Sequence, residues 1–202
     1  MSAPVVADDP ASIARASSIV MAGGLVVFPT DTVYGLGCDP FNEQSVRKLF
    51  DAKGREAKPI PLLCASLEES VAVVNFGPKA LQLARLFWPG PLTIVAPLRV
   101  RVPDLLHQGT GTLGVRIPAS RTTLDLIKSC GGYLTGTSAN RSGRPSSRTA
   151  REALEQLGDS VQLILDGGTL QGLESTVVKV VGDDLIILRQ GPVGVPDTMM
   201  KG

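Results

Sequence analysis

Residues 23–37 read Gly-Gly-Leu-Val-Val-Phe-Pro-Thr-Asp-Thr-Val-Tyr-Gly-Leu-Gly, and the fold prediction starts from this stretch. The apolar run 25–28 is short and uninterrupted, which is typical of a strand buried on both faces. The glycine pair before it marks the end of a helix predicted over residues 12–21. Polar side chains follow the strand directly, after Pro29. The stretch therefore predicts a helix, a buried strand and a polar turn at the carboxyl end of that strand.

The alternation of helices and strands continues along the 202-residue chain. Asn42 is a suitable N-cap for a helix that ends near Gly54. Later apolar runs predict further buried strands, including one strand over residues 133–137, and capped helical segments follow several of them.

The carboxyl-terminal part of the chain has a different pattern. Two apolar runs, 176–181 and 185–189, flank Gly182-Asp183-Asp184, which predicts a β-hairpin. The predicted fold class is α/β: a single domain over residues 1–202, with a twisted sheet of mixed parallel and antiparallel strands and flanking helices.

The composition excludes several classes of protein. The chain has eight aromatic residues, which argues against base stacking as the main mode of binding. The uncharged run 16–30 is too short and too interrupted to span a bilayer, and no signal peptide is evident, so we expect a cytoplasmic protein without a membrane partner. The three cysteines show no C-x-x-C spacing, and we interpret them as buried thiols.

The net charge of +1 conceals two basic segments. Residues 47–58 carry five bases and two acids, and residues 141–151 carry four arginines and no acid. Each segment lies beside a turn rich in Gly, Pro or Ser, which favours two walls of an anion site. A track for RNA phosphates fits the same pattern, and composition alone does not separate the two.

Several familiar catalytic motifs are absent. The sequence has no P-loop, and the G-x-G-x-x-G match at 109–114 precedes a strand instead of opening a helix, so it is not a dinucleotide fingerprint. His107 is the only histidine, which excludes a histidine-based metal cluster and argues against a Ser-His-Asp triad. A set of polar turns at strand ends remains.

The order of these turns along residues 24–192 carries a resemblance to a known family. In chain order they are Pro-Thr-Asp-Thr-Val-Tyr-Gly-Leu-Gly (29–37), Lys-x-Arg (53–55), Trp-Pro-Gly-Pro-Leu-Thr (88–93), Val-Arg-Ile-Pro (115–118), Ser-x-Asn (138–140), Glu-Ser-Thr-Val (174–177) and Leu-Arg-x-Gly-Pro (188–192). This pattern resembles the YrdC/TsaC family of L-threonylcarbamoyladenylate synthases, in its short form. The resemblance implies a YrdC-like fold with a concave basic cleft.

The resemblance also implies a reaction and its partners. The family condenses L-threonine, bicarbonate or carbon dioxide, and ATP into threonylcarbamoyl-AMP and pyrophosphate. The product then supplies the machinery that transfers threonylcarbamoyl to a tRNA adenosine. Because two anions must meet, a site rich in Arg, Lys, hydroxyl and backbone N–H groups suits this chemistry better than acid–base groups. Mg²⁺ is expected with ATP, and the sequence shows no dedicated carboxylate set for a metal.

The resemblance implies a role for individual residues of these motifs. Lys53 and Arg55 resemble the catalytic basic pair, which faces the triphosphate and the substrate carboxylate. The residues expected to bind L-threonine are Thr30, Thr32, Arg116 and Ser175. The residues expected to bind the nucleotide are Lys53, Arg55, Thr112, Ser138, Asn140 and Arg189. Some members carry a histidine shortly after the Lys-x-Arg segment, where this chain has Leu62, Leu63 and Cys64.

Two alternatives stay open at this point. The first is a module that binds double-stranded RNA or tRNA through the two basic segments, with an affinity that falls steeply with salt. The second is a YrdC-like paralogue that uses another carbamoyl or acyl substrate.

Overall fold

The computed structural model describes residues 2–54, 58–182 and 184–195. The strands of this part are β1 (Val5–Ala7), β2 (Val26–Pro29), β3 (Tyr34–Gly37), β4 (Leu62–Cys64), β5 (Leu92–Pro97), β6 (Thr112–Arg116), β7 (Tyr133–Thr135), β8 (Thr137–Ser138), β9 (Leu163–Asp166), β10 (Thr176–Val181) and β11 (Asp184–Arg189). The helices are α1 (Pro10–Met21), α2 (Glu43–Lys53), α3 (Leu67–Val73), α4 (Pro78–Phe87), α5 (Asp104–His107), α6 (Arg121–Ser129) and α7 (Ala150–Leu157).

The strands form two mixed sheets. The five-stranded sheet has the order β1-β9-β2-β3-β8, with β1, β9 and β2 parallel and β3 antiparallel to both of its neighbours. The six-stranded sheet has the order β11-β10-β5-β6-β4-β7, with parallel pairing only between β10 and β5 and between β6 and β4. Mixed pairing and flanking helices confirm the predicted α/β class with parallel and antiparallel strands.

The chain passes from the six-stranded to the five-stranded sheet at Gly136. This residue alone separates β7 from β8, and a Cβ atom on it would lie 2.5 Å from Cγ of Leu63. No side chain fits there, so the backbone turns between the sheets while packed against Leu63. The prediction of one strand over residues 133–137 is therefore wrong, and so is the prediction of one sheet: the apolar pattern locates strands but does not say which of them pair.

The sequence pattern does not predict strand β3, which forms the last four residues of the motif 29–37. Its sequence Tyr-Gly-Leu-Gly has low strand propensity because glycine adds no side-chain packing. The glycines are needed for close approach: a Cβ atom on Gly35 would lie 2.8 Å from the ring of Phe28 on the neighbouring strand. Strand β1 and helix α5 are also additions to the predicted set.

The helices bury apolar stripes against the sheets. Ile13 and Val20 of α1 pack with Ile127 of α6 and with Phe28 and Leu163 of the five-stranded sheet. Each such buried aliphatic or aromatic side chain stabilises the fold by roughly 1.5–3 kcal/mol. These contacts fix the sheet whose strand ends carry the polar turns.

Local signals in the sequence are confirmed at the helix ends. The Asn42 side chain accepts hydrogen bonds from the backbone N–H groups of Gln44 and Ser45 at the start of α2. Gly54 follows α2 in the left-handed conformation, with φ of 56°. The three cysteines are buried free thiols, as predicted. Within the described residues, no helix is long and apolar enough to cross a membrane.

Candidate active site

A cavity of about 510 Å³ is lined by residues from both sheets. Strands β3 and β8 contribute from the five-stranded sheet, and β5, β6, β10 and β11 contribute from the six-stranded sheet. Seven of the ten sequence-predicted site residues line it: Thr30, Thr32, Thr112, Arg116, Ser138, Ser175 and Arg189. The polar turns are far apart in sequence, and the fold brings them to one place.

The turn between β2 and β3 is organised by two buried hydroxyl groups. Thr30 Oγ1 donates to the carbonyl oxygen of Val33 at 2.6 Å and accepts from the backbone N–H of Thr32 at 3.1 Å. The two hydroxyl oxygens lie 2.9 Å apart. Because Thr30 gives its proton to Val33, the Thr32 hydroxyl is the donor in this pair. The turn therefore presents both threonines in a fixed orientation on the cavity wall.

Arg116, at the end of β6, ties this turn to the six-stranded sheet. Its side chain is 7% exposed. Its Nε donates to the carbonyl oxygen of Gly90 at 3.0 Å and its Nη1 to Thr32 Oγ1 at 3.2 Å, while its Nη2 pairs with Asp31. A guanidinium has five N–H groups. Among the described residues, these three bonds leave two N–H groups of Arg116 unused.

Burial and Asp31 have opposite effects on the pKa of Arg116. Burial lowers the pKa of the Arg116 guanidinium, and the neighbouring Asp31 carboxylate opposes that shift. Among the described residues, Oδ2 of Asp31 is buried without a hydrogen-bond partner. The pair is thus a buried ion pair with an incomplete set of hydrogen bonds, an arrangement that is costly to break from either side.

Ser175 lies between a threonine and an arginine on the opposite wall. Its hydroxyl oxygen is 2.9 Å from Thr93 Oγ1 and accepts a bond from Nη2 of Arg189 at 3.1 Å. Nε of Arg189 donates to the Ser175 carbonyl oxygen at 3.0 Å. The hairpin of β10 and β11 allows Arg189 to form both hydrogen bonds with Ser175, because Arg189 is the last residue of β11 and Ser175 directly precedes β10.

Glu174 is an acidic side chain on the same wall. Its Oε1 accepts a hydrogen bond from Ser146 Oγ at 2.6 Å, and its Oε2 pairs with Arg189. Burial raises the pKa of Glu174, but the bonds from Ser146 and Ser138 and the charges of Arg189 and Lys53 outweigh burial and lower it overall. Glu174 is therefore an ionised carboxylate at neutral pH.

Lys53 and Asn140 lie behind the cavity wall and not in its lining. Nζ of Lys53 donates to the carbonyl oxygens of Ser138 and Asn140 at 2.5 and 2.7 Å, and to Asn140 Oδ1 at 3.3 Å. The Asn140 amide in turn donates to the carbonyl oxygens of Arg141 and Arg144. The two residues hold the end of β8 and the segment after it in shape, and Ser138 at the end of β8 faces the cavity. Their predicted contacts with the nucleotide stay predictions.

Arg55, predicted to complete the catalytic pair with Lys53, lies outside the described residues. Thr112 lines the cavity beside Thr110, with the two hydroxyl oxygens 3.1 Å apart.

Tyr34 anchors the floor of the cavity to the strand β9. The phenol is fully buried and donates to the carbonyl oxygen of Gly168 at 2.8 Å, and its oxygen accepts from the backbone N–H of Gly167. Burial raises the pKa of Tyr34 to about 12, so the phenol stays protonated. This network fixes the start of the segment that leads to Glu174.

Sequence reasoning missed several residues of the lining. Thr93, Lys179 and Leu188 all face the cavity. Lys179 belongs to an alternating set that begins just before β10 and lines the cavity: Ser175, Val177 and Lys179. Such period-two alternation on a predicted strand, next to a predicted site residue, is the signal in the sequence that points to it.

No protein metal cluster is found in this part of the chain. Among residues 2–54, 58–182 and 184–195, no group of three or more His, Cys, Asp or Glu side chains lies close enough to hold a metal ion.

The fold is that of an α/β protein with a cavity lined by polar residues of two sheets. A family model of the Sua5, YciO and YrdC proteins, described as "Telomere recombination", matches residues 18–191. This chain belongs to the Sua5/YciO/YrdC family.

Individual relatives support membership of this family. The threonylcarbamoyl-AMP synthase of Pyrococcus abyssi is 40% identical over 179 residues, which are 87% of this chain and 53% of that protein. The threonylcarbamoyl-AMP synthase of Idiomarina loihiensis is 39% identical over 152 residues, which are 72% of this chain and 81% of that protein. The structure of P. abyssi Sua5 complexed with L-threonine has a TM-score of 0.85 at 39% identity, over 89% of this chain and 54% of that one. The chain spans about half the length of the first curated relatives that it matches.

Proposed function

We propose that this protein is an L-threonylcarbamoyladenylate synthase, which condenses L-threonine, bicarbonate or carbon dioxide, and ATP into threonylcarbamoyl-AMP and pyrophosphate. One observation carries the proposal: a single cavity brings Thr30, Thr32, Arg116, Ser175 and Arg189 together. Relatives that carry this activity in their names, and a related structure that contains L-threonine, support it.

In the proposed reaction, the neutral threonine amine first attacks carbon dioxide; an N–C bond forms and a proton of the amine is released to solvent. The resulting N-carboxylate attacks the α-phosphorus of ATP; a P–O bond forms to the carboxylate, and the bond to the pyrophosphate leaving group breaks. Two N–H groups of Arg116 are not used by its described protein partners. They suit the threonine carboxylate, since a guanidinium matches a carboxylate in shape. Arg189 of β11 and Ser138 of β8 suit the phosphates.

The cavity contributes position and charge neutralisation more than proton transfer. Threonine and ATP both carry negative charge, so holding them together requires fixed donors around them. Hydroxyl, guanidinium and amide groups meet that requirement. Mg²⁺ enters as the counter-ion of the ATP substrate. The threonylcarbamoyl group would then pass to the tRNA-modifying machinery.

The proposal is tested by incubating the protein with ATP, bicarbonate and each amino acid in turn. Pyrophosphate release and an AMP adduct that depend on threonine are expected. Turnover with another amino acid or acyl donor instead of threonine identifies a paralogue with a different substrate. No turnover, together with salt-sensitive binding of double-stranded RNA or tRNA, identifies an RNA-binding module.

Replacing Arg55 with Ala is expected to abolish threonine-dependent pyrophosphate release. The resemblance places Arg55 against the triphosphate and the substrate carboxylate, where loss of a fixed cation typically lowers the rate about 100-fold or more. Arg47→Ala is the control, because Arg47 forms an exposed i,i+4 pair with Glu43 elsewhere on the basic segment. A near-normal rate for Arg55→Ala, with an unchanged melting temperature, contradicts the assignment.

A further inference from the structure

The carboxylate of Glu174 is unexpected, because it places a negative charge in a cavity that is proposed to bind anions. Among the described residues that line the cavity, the charged side chains are Arg116, Lys179, Arg189 and Glu174. An acid in such a site is expected to oppose the binding of phosphate unless it moves or is neutralised. The function of this carboxylate is therefore not explained by the proposed chemistry.

Glu174 pairs with a donor that the nucleotide is proposed to use. Its carboxylate pairs with Arg189, which is assigned to the nucleotide, and the neighbouring Ser138 contributes to lowering the pKa of Glu174. A second donor, Ser146 Oγ, lies 2.6 Å from Oε1. Carboxylate and phosphate oxygens accept charge-assisted bonds from guanidinium and hydroxyl groups in the same way. The carboxylate thus occupies a ready-made anion site.

The charge balance of the cavity depends on this occupancy. The charge of Arg116 is already matched by Asp31, and that of Arg189 is matched by Glu174. A phosphate that arrived with Glu174 in place would meet a like charge and would share its donors. With Glu174 turned away, Arg189 is available to a phosphate.

The geometry leaves Glu174 free to turn away. About one third of its side chain is exposed, at 33%, so the carboxylate reaches water by rotation alone. The backbone on either side is held: the N–H of Gly172 donates to the carbonyl oxygen of Thr32, and Arg189 Nε donates to that of Ser175. No rearrangement of the sheets is needed for the exchange.

We propose that Glu174 is an internal counter-anion that is exchanged for a phosphate group of the nucleotide. Before the nucleotide binds it keeps Arg189 aligned; on binding, the phosphate takes over Arg189 and the carboxylate rotates into solvent. Nucleotide affinity is then set by competition with Glu174, whereas the affinity for threonine is not. This inference rests on the proposed function, because it assumes that the cavity binds a nucleotide.

The test compares the wild-type protein with Glu174→Gln, using inorganic triphosphate and ATP as probes in titration calorimetry. The amide keeps the size of the side chain and one acceptor oxygen but removes the competing charge. We expect both probes to bind about tenfold more tightly to the variant, since the binding-competent state no longer has to displace a carboxylate. The affinity for L-threonine is expected to stay the same.

Glu155→Gln is the matched control, because Glu155 forms an exposed ion pair with Arg151 and its loss changes the net charge equally. Unchanged or weaker binding of triphosphate to Glu174→Gln, beside measurable binding to the wild-type protein, overturns the exchange and leaves the proposed function standing. If neither protein binds triphosphate or ATP, the proposed function fails and the exchange fails with it. Equal tightening by Glu155→Gln shows an effect of net charge alone and also overturns the exchange.

Discussion

Replacing Lys53 with Met is expected to lower kcat/KM by about 100-fold, equivalent to about 3 kcal/mol of transition-state stabilisation. Nζ of Lys53 donates to three oxygens of the segment 138–140. Methionine fills a similar volume but donates no hydrogen bond, so those oxygens lose a buried partner. Ser138 then loses its fixed position on the cavity wall, and misplacement of a binding group by even about 1 Å lowers the rate strongly.

The same substitution is expected to destabilise the fold. A buried acceptor without a donor costs about 1–3 kcal/mol, and Lys53 is 2% exposed. Lys48→Met is the matched control on the same helix. Nζ of Lys48 donates a hydrogen bond to the carbonyl oxygen of Gly23, and neither Lys48 nor Gly23 belongs to the cavity lining. Chemical denaturation of both variants checks the stability, and steady-state kinetics check the activity.

A double-mutant cycle separates a positioning role of Lys53 from direct contact with substrate. If Lys53 acts through Ser138, Ser138→Ala lowers kcat/KM in the wild-type background but has little further effect in the Lys53→Met background. If the two losses add, Lys53 contacts the substrate directly, as the Lys-x-Arg resemblance implies, and the positioning role is wrong.

The polar turns are predictable from sequence because each follows a strong local signal. The apolar run before Pro29 identifies a buried strand, and the hydroxyl groups of Thr30 and Thr32 come directly after it. The glycines that bracket other motifs likewise mark sharp turns. Local patterns, together with the family resemblance that they carry, therefore predict seven residues of one cavity lining.

The remaining features depend on contacts between distant parts of the chain. The division into two sheets at Gly136 depends on contact with Leu63, which lies 73 residues earlier. The location of Lys53 behind the wall, instead of in it, depends on where the end of α2 meets the segment after β8. Long-range pairing is set by tertiary packing, which overrides local propensity and is not encoded in short motifs.

Glu174 illustrates the same limit within a motif that the sequence does reveal. The string Glu-Ser-Thr-Val draws attention to Ser175, while the carboxylate before it has no role assigned by the pattern. Only the fold brings this carboxylate into contact with Arg189 on β11 and with Ser146 of the basic segment 141–151. Both partners are at least 15 residues away in sequence.

The buried pair of Arg116 and Asp31 is expected to be the most sensitive point of the site for stability. Arg116→Met should lower the free energy of unfolding by about 3–5 kcal/mol, because it leaves the Asp31 carboxylate buried without its cation. One oxygen of that carboxylate already lacks a partner among the described residues. The exposed pair of Arg121 and Asp125 is the control, and Arg121→Met should cost less than about 1 kcal/mol.

The double variant Asp31→Asn/Arg116→Met separates the structural role of Arg116 from its role in binding. It contains neither buried charge, so most of the lost stability should return, as measured by chemical denaturation. Threonine binding should not return, because the two N–H groups proposed to hold the substrate carboxylate are gone. A stable double variant that binds L-threonine as the wild-type protein does, measured by calorimetry, would show that Arg116 only supports the turn of Thr30 and Thr32. A stable double variant without threonine binding assigns the carboxylate clamp to Arg116, because the turn is then intact and the guanidinium is the group that is missing.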